Sequence, residues 1–464
     1  MHIALATALA AFRRRPYFGC PPGYLPHLGY KLAVVALALG VACRATATTL
    51  PPLEPLSLDE ALRVAEVRSY ALAAQDAAAT AAGEMAVAAR QLPDPVLRLA
   101  VDNLPIDGAD RYSFTDDFMT MRSIGVMQTM TGADKRRARA TRFEREGEVA
   151  QTAHALELTN LRRDTALAWL DRYYQDQTVA LLHRQRDETA LQIDAAEAAY
   201  RAGRGPQAEV FMARAAVAQL EDRIRAAEAA RANATTMLAR WIGERASASL
   251  GTAPDLSNVR LTNHSLALAG DHHPDVALLA KREAVALAEA DVARQEKRPD
   301  WSVELTYSQR GPGFSNMVSV AVSVPLPWDQ GNRQNRELAA KLALATQMGD
   351  ERKEMTREHL ADINRWQQTW RADLERLAAY DKTLLPLATQ RTQAALADYR
   401  GAGGSLTSVL EARRMELDTG LERLRIEQET AALWATLEYL LPTEHDTVAT
   451  LSSPDLTATS EPRR

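Results

Sequence analysis

The densest group of soft donor atoms in the sequence is Met119, Met121, Met127 and Met130. Thioethers suit Cu(I), and methionine is equally a routine filler of irregular gaps. The adjacent His272 and His273 have no cysteine partner and no histidine one helical turn away, so they lack the spacing of a zinc site. His154 and His183 stand alone. The two cysteines, Cys20 and Cys43, both lie within the first 47 residues, which leaves the remainder without a thiol for disulfides, thiolate metal sites or nucleophilic catalysis. There is no phosphate-binding glycine loop, no Gly-x-Ser-x-Gly and no His-Glu-x-x-His. The residues thus predict no enzyme, no cofactor and no metal centre.

Charged residues in alternating segments offer a different chemistry. In 301–310, Trp301, Val303, Leu305 and Tyr307 point one way, while Ser302, Glu304, Thr306, Ser308 and Arg310 point the other. Leu97, Leu99 and Val101 oppose Arg98 and Asp102, and valines alternate with Ser319, Ala321 and Ser323 in 318–324. An apolar face backed by a charged one fits a transmembrane barrel strand, with lipid outside and Arg98, Glu304 and Arg310 in a wet lumen. A half-buried strand of a soluble sandwich has the same pattern. Four such strands cannot close a water-filled barrel, and open edges cannot sit in lipid. A barrel would therefore need other copies of the chain, and a trimer would supply twelve strands.

The elements that carry these strands are helical. The sequence has 464 residues, of which 85 are alanines and only 6% aromatic. Ala, Leu, Arg and Glu in such excess favour long helices with small-residue contacts. A net charge of −5 lacks the basic footprint of a nucleic-acid binder. A mean hydropathy of −0.28 excludes a polytopic helical membrane protein but leaves a β-barrel open.

The one long apolar run, 32–43 after Lys31, is too short to span a bilayer and suits the core of a signal peptide. Residues 1–47 are therefore read as a leader, with cleavage after Ala45-Thr46-Ala47. Cys43, after Gly40-Val41-Ala42, is the alternative processing point as a lipid anchor, although Gly40 stands where a lipobox usually has leucine. Residues 443–464, rich in Ser, Thr, Pro and Asp, are read as a disordered tail.

Between these ends the chain repeats itself. Pro93-Asp94-Pro95-Val96-Leu97-Arg98-Leu99 returns as Pro299-Asp300-Trp301-Ser302-Val303-Glu304-Leu305, an offset of 206. Tyr200-Arg201, Gly205, Val210 and Arg214 return as Tyr399-Arg400, Gly404, Val409 and Arg413, an offset of 199. The expected units are 48–262 and 263–442. Each has a helix of about 35 residues (58–91, 264–297), two strands (about 95–102 and 118–128; about 301–310 and 317–325), a very long helix (133–201; 332–400), a tip (202–206; 401–405) and a last helix. No proline falls between Pro105 and Pro206, whereas Pro386 predicts a kink in the second long helix. Val210, Ala213, Val217, Leu220, Ile224 and Ala227, like Ile363, Trp366, Trp370, Leu374 and Leu377, step at coiled-coil spacing.

This plan resembles the TolC-type outer-membrane factor family. The motifs that carry the resemblance are Leu56-Ser57-Leu58-Asp59-Glu60-Ala61-Leu62, His273-Pro274, Val324-Pro325-Leu326-Pro327-Trp328-Asp329-Gln330-Gly331-Asn332, and the turns 200–210 and 399–409. The Pro-Leu-Pro and Asp-Gln-Gly-Asn passage looks closest to the heavy-metal branch. The resemblance implies a mainly α fold with a small β part, assembled as a homotrimer: a 12-stranded transmembrane β-barrel joined to a 12-helix periplasmic α-barrel. It further implies an outer-membrane location in a Gram-negative bacterium and a passive exit duct. A periplasmic membrane-fusion adaptor and an inner-membrane RND-type transporter would be its partners.

By the same resemblance, Gly203, Gly205 and Pro206, with Gly403, Gly404 and Ser405, form the adaptor-docking tips. Glycine there also has its own physical reason, since a sharp reversal needs φ > 0. The resemblance places an acidic periplasmic gate just after the second tip. Glu411 keeps the carboxylate, Ser408 does not, and Glu209 is the first-repeat equivalent of Ser408. A carboxylate ring would favour cations; a solvated helix face is the other reading of Glu411. The rival to the duct as a whole is a soluble periplasmic coiled-coil adaptor or scaffold protein.

Overall fold

The computed structural model describes residues 55–260, 273–401 and 403–442. The leader, Cys43, His272, residues 264–272 of the expected helix and the tail lie outside the described residues.

The described fold is mostly helical with one small antiparallel sheet. In chain order it comprises α1 (Leu58–Arg68), α2 (Tyr70–Arg90), β1 (Val96–Asp102), β2 (Met121–Met130), α3 (Ala133–Arg201) and α4 (Gln207–Ile242). Then follow α5 (Pro274–Glu296), β3 (Trp301–Gln309), β4 (Met317–Ser323), α6 (Gln334–Ala379), α7 (Leu385–Arg400) and α8 (Leu406–Glu438). At 69 residues, α3 is about 100 Å long.

Four local departures from the sequence reading have physical causes. The expected helix 58–91 divides at Ser69, whose extended backbone ends α1 and whose hydroxyl accepts from the Leu72 amide to start α2. β2 starts at Met121 rather than near 118. The Asp117 carboxylate accepts from the amides of Met119 and Thr120 and holds them in a turn. At its other end β2 runs on to Met130, which pairs with Trp301. The second long helix is interrupted at Tyr380–Leu384 by a π-helical turn, where Pro386 lacks the amide that would continue the ladder.

The sheet order is β1-β2-β3-β4, with every neighbour antiparallel, so β1 and β4 are its edges. Lys135 near the start of α3 pairs with Asp300 at 2.9 Å, tying the long helix to the foot of β3. Away from the sheet the helices pack through seams. Val210, Ala213, Leu220, Ile224 and Ala227 bury one stripe of α4, and Ile363, Trp370 and Leu377 bury one stripe of α6.

The largest core cluster gathers Leu56, Leu62, Trp169, Tyr174, Leu238, Ile242, Trp370 and Trp434. Here two non-helical segments are pinned by indoles. Trp169 Nε1 donates to the Leu56 carbonyl at 3.2 Å, and Trp370 Nε1 donates to the Leu256 carbonyl at 3.1 Å. These two contacts lie about 200 residues apart and span nearly equal sequence separations, 113 and 114.

Candidate functional site

Three regions carry functional side chains, and the register of the sheet determines the first. Leu97, Val126, Leu305 and Val320 pair in succession across all four strands, as do Leu99, Ile124, Tyr307 and Val318. These two rows form one face, and every residue in them is exposed, from 44% for Tyr307 to 70% for Leu99. An uncovered apolar face of this extent demands a partner phase. Trp301 and Trp328, also exposed, stand at the end of the sheet that meets the helices. Phe114, Phe118 and Phe314 occupy the loops at the opposite end. Aromatic tiers above and below an apolar band are the profile of a strand set that crosses a bilayer.

The other face is polar. Arg98, Gly125, Thr306 and Ser319 form one of its rows. Because Gly125 has no side chain, Arg98 Nη1 reaches Glu304 Oε1 on the next strand but one, at 3.4 Å. A Cβ on Gly125 would stand 2.6 Å from Thr306 Oγ1. Ser123 links the same face by hydrogen bonds to Asp102 Oδ2 at 2.7 Å and Ser308 Oγ at 3.0 Å. Met121 and Met127 share this face with Arg98, through their pairing with Asp102 and Val96. Arg310 falls just past the end of β3, where its guanidinium donates to the Phe118 carbonyl and lies over the Phe314 ring. It stands at the loop rim rather than in the ladder with Arg98 and Glu304.

The second region is the pair of helical tips. At the first, Gly203 has φ +66°, its amide bonds Tyr200 O, and the Arg204 amide bonds Ala199 O. This closure satisfies the carbonyls of Ala199 and Tyr200 in the last turn of α3. Pro206 precedes α4, and Gly205 sits 3.3 Å, measured from an added Cβ, from the Ala199 methyl. The second tip works differently. Neither Gly403 nor Gly404 has a positive φ; Gly404 is required by close approach, since a Cβ there would lie 3.0 Å from both Asp398 Cβ and the Tyr399 amide. Ser405 caps α8 by accepting from the Ser408 amide. The expectation of left-handed glycines throughout both tips therefore holds at Gly203 and not at Gly205, Gly403 or Gly404. A small cluster of Ala196, Val210, Ala213, Leu406 and Val409 packs the two tips together.

Glu209, in the first turn of α4, faces the tip, close to Gly205 and Tyr399. Burial first, and the Glu209 charge second, raise the Tyr399 hydroxyl above the usual tyrosine range. Glu411 is exposed on α8, on the wall of a cleft of about 210 Å³ that also includes Gln185, Met212, Arg223 and Arg414. Its neighbour Arg413 turns inward and pairs with Glu188. The two acids thus stand on different surfaces of the tip region, one against the turn and one in the cleft.

The third region was not legible from spacing. His273 caps α5 and stacks on His359 of α6, with ring centroids 3.9 Å apart. Asp275 Oδ2 is 3.6 Å from His273 Nδ1 and 3.5 Å from His359 Nε2. Burial, followed by the charges of His359 and Arg163, pushes His273 down to about 4, so its ring is neutral at ordinary pH. His359 could not be found from sequence because its partners lie on another helix, 86 positions away.

No protein-family model matches the chain. It is 26% identical over 441 residues to the cobalt-zinc-cadmium resistance protein CzcC of Cupriavidus metallidurans, covering 90% of this chain and 99% of that one. Its fold is similar to that of the outer membrane protein VceC of Vibrio cholerae, with a TM-score of 0.68 at 17% identity over 82% of this chain and 95% of VceC. It is also similar to CusC, whose crystal structures describe transmembrane channel formation, with a TM-score of 0.67 at 13% identity over 83% and 92% of the two chains.

Proposed function

We propose that this chain belongs to the TolC-type outer-membrane factor family and is the outer-membrane channel of a tripartite efflux system in a Gram-negative bacterium. The observation that carries the reading is the sheet: two apolar rows facing outward, a polar face behind them, and unpaired edges at β1 and β4. No helix among the described residues is long and apolar enough to cross a membrane.

A single four-stranded sheet leaves two edges of unpaired amides, which lipid does not tolerate. Three chains joined β4 to β1 would close a twelve-stranded barrel, and their long helices would continue it as a twelve-helix tunnel. Arg98 and Glu304 would then line a wet lumen. The tips around Gly203 to Pro206 and Gly403 to Ser405 would dock a periplasmic adaptor, which couples the duct to an inner-membrane RND-type transporter. Glu411 and Glu209 are the candidate acids of the periplasmic gate.

The likeness to CzcC runs nearly the full length of that resistance protein. This supports divalent heavy-metal cations as the cargo and a passive role for the channel, with no bond made or broken by it. The soluble adaptor or scaffold is disfavoured, because it would leave both apolar rows in water.

Membrane fractionation tests the reading directly. The chain should sediment with outer membranes, need detergent for release, and run as a trimer by light scattering. It should also conduct ions in a planar bilayer. Recovery from the periplasm without detergent would overturn the reading.

A further inference from the structure

The histidine cluster at the start of α5 has no place in the duct. His273, Asp275 and His359 each offer one donor atom, and these atoms lie within 4.8 Å of one another. Ligands held tetrahedrally at zinc distances stand about 3.3 Å apart. The two edges to Asp275, at 3.5 and 3.6 Å, are close to that spacing already.

His359 makes the strongest demand. Both of its ring nitrogens are buried, and among the described residues neither has a hydrogen-bond partner. A buried polar ring left in that state is costly unless something satisfies it. Its side chain is only 14% exposed, and that of His273 only 8%. Beside them lies a cavity of about 70 Å³, lined by Thr159, Asn160, Arg163 and Tyr439. It has room for a water molecule as a further ligand. Arg163, the one arginine or lysine among the described lining residues, pairs with Asp164 at 2.8 Å, although its charge still acts on His273.

Two imidazoles and one carboxylate form a nitrogen–oxygen donor set of intermediate softness, which suits Zn²⁺ and Co²⁺ better than Mg²⁺ or Cu(I). We infer that His273, Asp275 and His359 bind one Zn²⁺-class divalent ion per chain, as a resident ion that clamps the first turn of α5 to the middle of α6. Binding through His273 Nδ1 exchanges the 3.2 Å hydrogen bond from the Asp275 amide for the metal, and requires the two rings, stacked 23° from parallel, to turn out of the stack so that both nitrogens point at one ion. The site belongs to the helical region and does not depend on what passes through the duct.

The test uses the full-length, tag-free protein in detergent, stripped with a chelator. Calorimetric titration with Zn²⁺ should give one ion per chain, and Co²⁺ should produce the visible bands of a low-coordinate site. His359→Phe keeps the stacked ring but removes both donors, and should weaken Zn²⁺ binding by about 100-fold or more, since even supporting residues around metal sites are worth 10–100-fold. Asp275→Asn, which keeps the shape, should weaken it in the same direction. Zn²⁺ should raise the melting temperature of the parent protein and not of His359→Phe. His183→Ala, remote in the fold, should bind as the parent does. The inference is overturned by substoichiometric Zn²⁺ binding in the parent, by a folded His359→Phe or Asp275→Asn with parental affinity, or by equal loss in His183→Ala. None of these readouts requires transport or membrane insertion, so they stand or fall apart from the channel reading.

Discussion

Arg98 on β1 and Glu304 on β3 form an ion pair over Gly125 of the intervening strand, and the two residues are 206 positions apart. That separation equals the offset between the Pro93 and Pro299 segments, so the pair joins equivalent positions of the two halves with opposite charge. With Arg98 60% exposed, the pair adds little to stability; its effect is on the charge of the polar face. In single-channel recordings, Glu304→Arg should shift ion selectivity toward anions, and the double exchange Arg98→Glu with Glu304→Arg should restore the parental value. Unchanged selectivity in the single variant would remove these residues from the lumen.

Gly125 sets the geometry of that pair. Gly125→Val would drive a methyl group against Thr306 Oγ1, a contact already at 2.6 Å for the Cβ alone. Overpacking of this kind costs about 1–3 kcal/mol. The proposed trimer should dissociate at a lower temperature in detergent, which a heating series on a semi-native gel would read.

The gate proposal rests on Glu411 and Glu209. Glu411→Ala should raise or alter single-channel conductance and weaken block by divalent cations. Glu209→Ala should do less, because that carboxylate faces its own turn near Gly205 and Tyr399 rather than the cleft beside Arg223. Parental conductance and block in Glu411→Ala would remove the gate assignment.

At the tips, Gly203→Val places a β-branched residue at φ +66°, which should cost about 1–2 kcal/mol in that turn. Adaptor capture, read by cross-linking at the tip, should fall with it. Gly403→Ala should be mild in the same assay, since its φ is not positive and the nearest atom to a new Cβ is 3.9 Å away.

These positions also mark what the sequence could and could not convey. The unbroken α3 is legible because no proline interrupts the stretch from Pro105 to Pro206, and the sheet faces are legible because strand side chains alternate strictly. The division at Ser69 was hidden, because a serine followed by Tyr70 breaks a helix only through its own capping hydroxyl. The distinct reasons for Gly203 and Gly404 were hidden because both are simply glycine in sequence. The stack of His273 on His359 was hidden most deeply: spacing rules see one helix at a time, and this contact is made between two.

The sharpest test of the membrane assignment lies in two adjacent residues. Val320 completes the apolar row of Leu97, Val126 and Leu305, while Ser319 completes the polar row of Arg98, Gly125 and Thr306. Both are exposed in the single chain, so a soluble sheet would tolerate arginine at either position. A barrel would not. Arginine at the bilayer midplane on a lipid-facing position costs about 2–4 kcal/mol, whereas lumen positions accept charge and only tune selectivity. Val320→Arg should therefore reduce the detergent-stable trimer recovered from outer membranes, and Ser319→Arg should leave that yield intact while changing conductance. Equal yields from the two variants would place both faces in water and defeat the barrel.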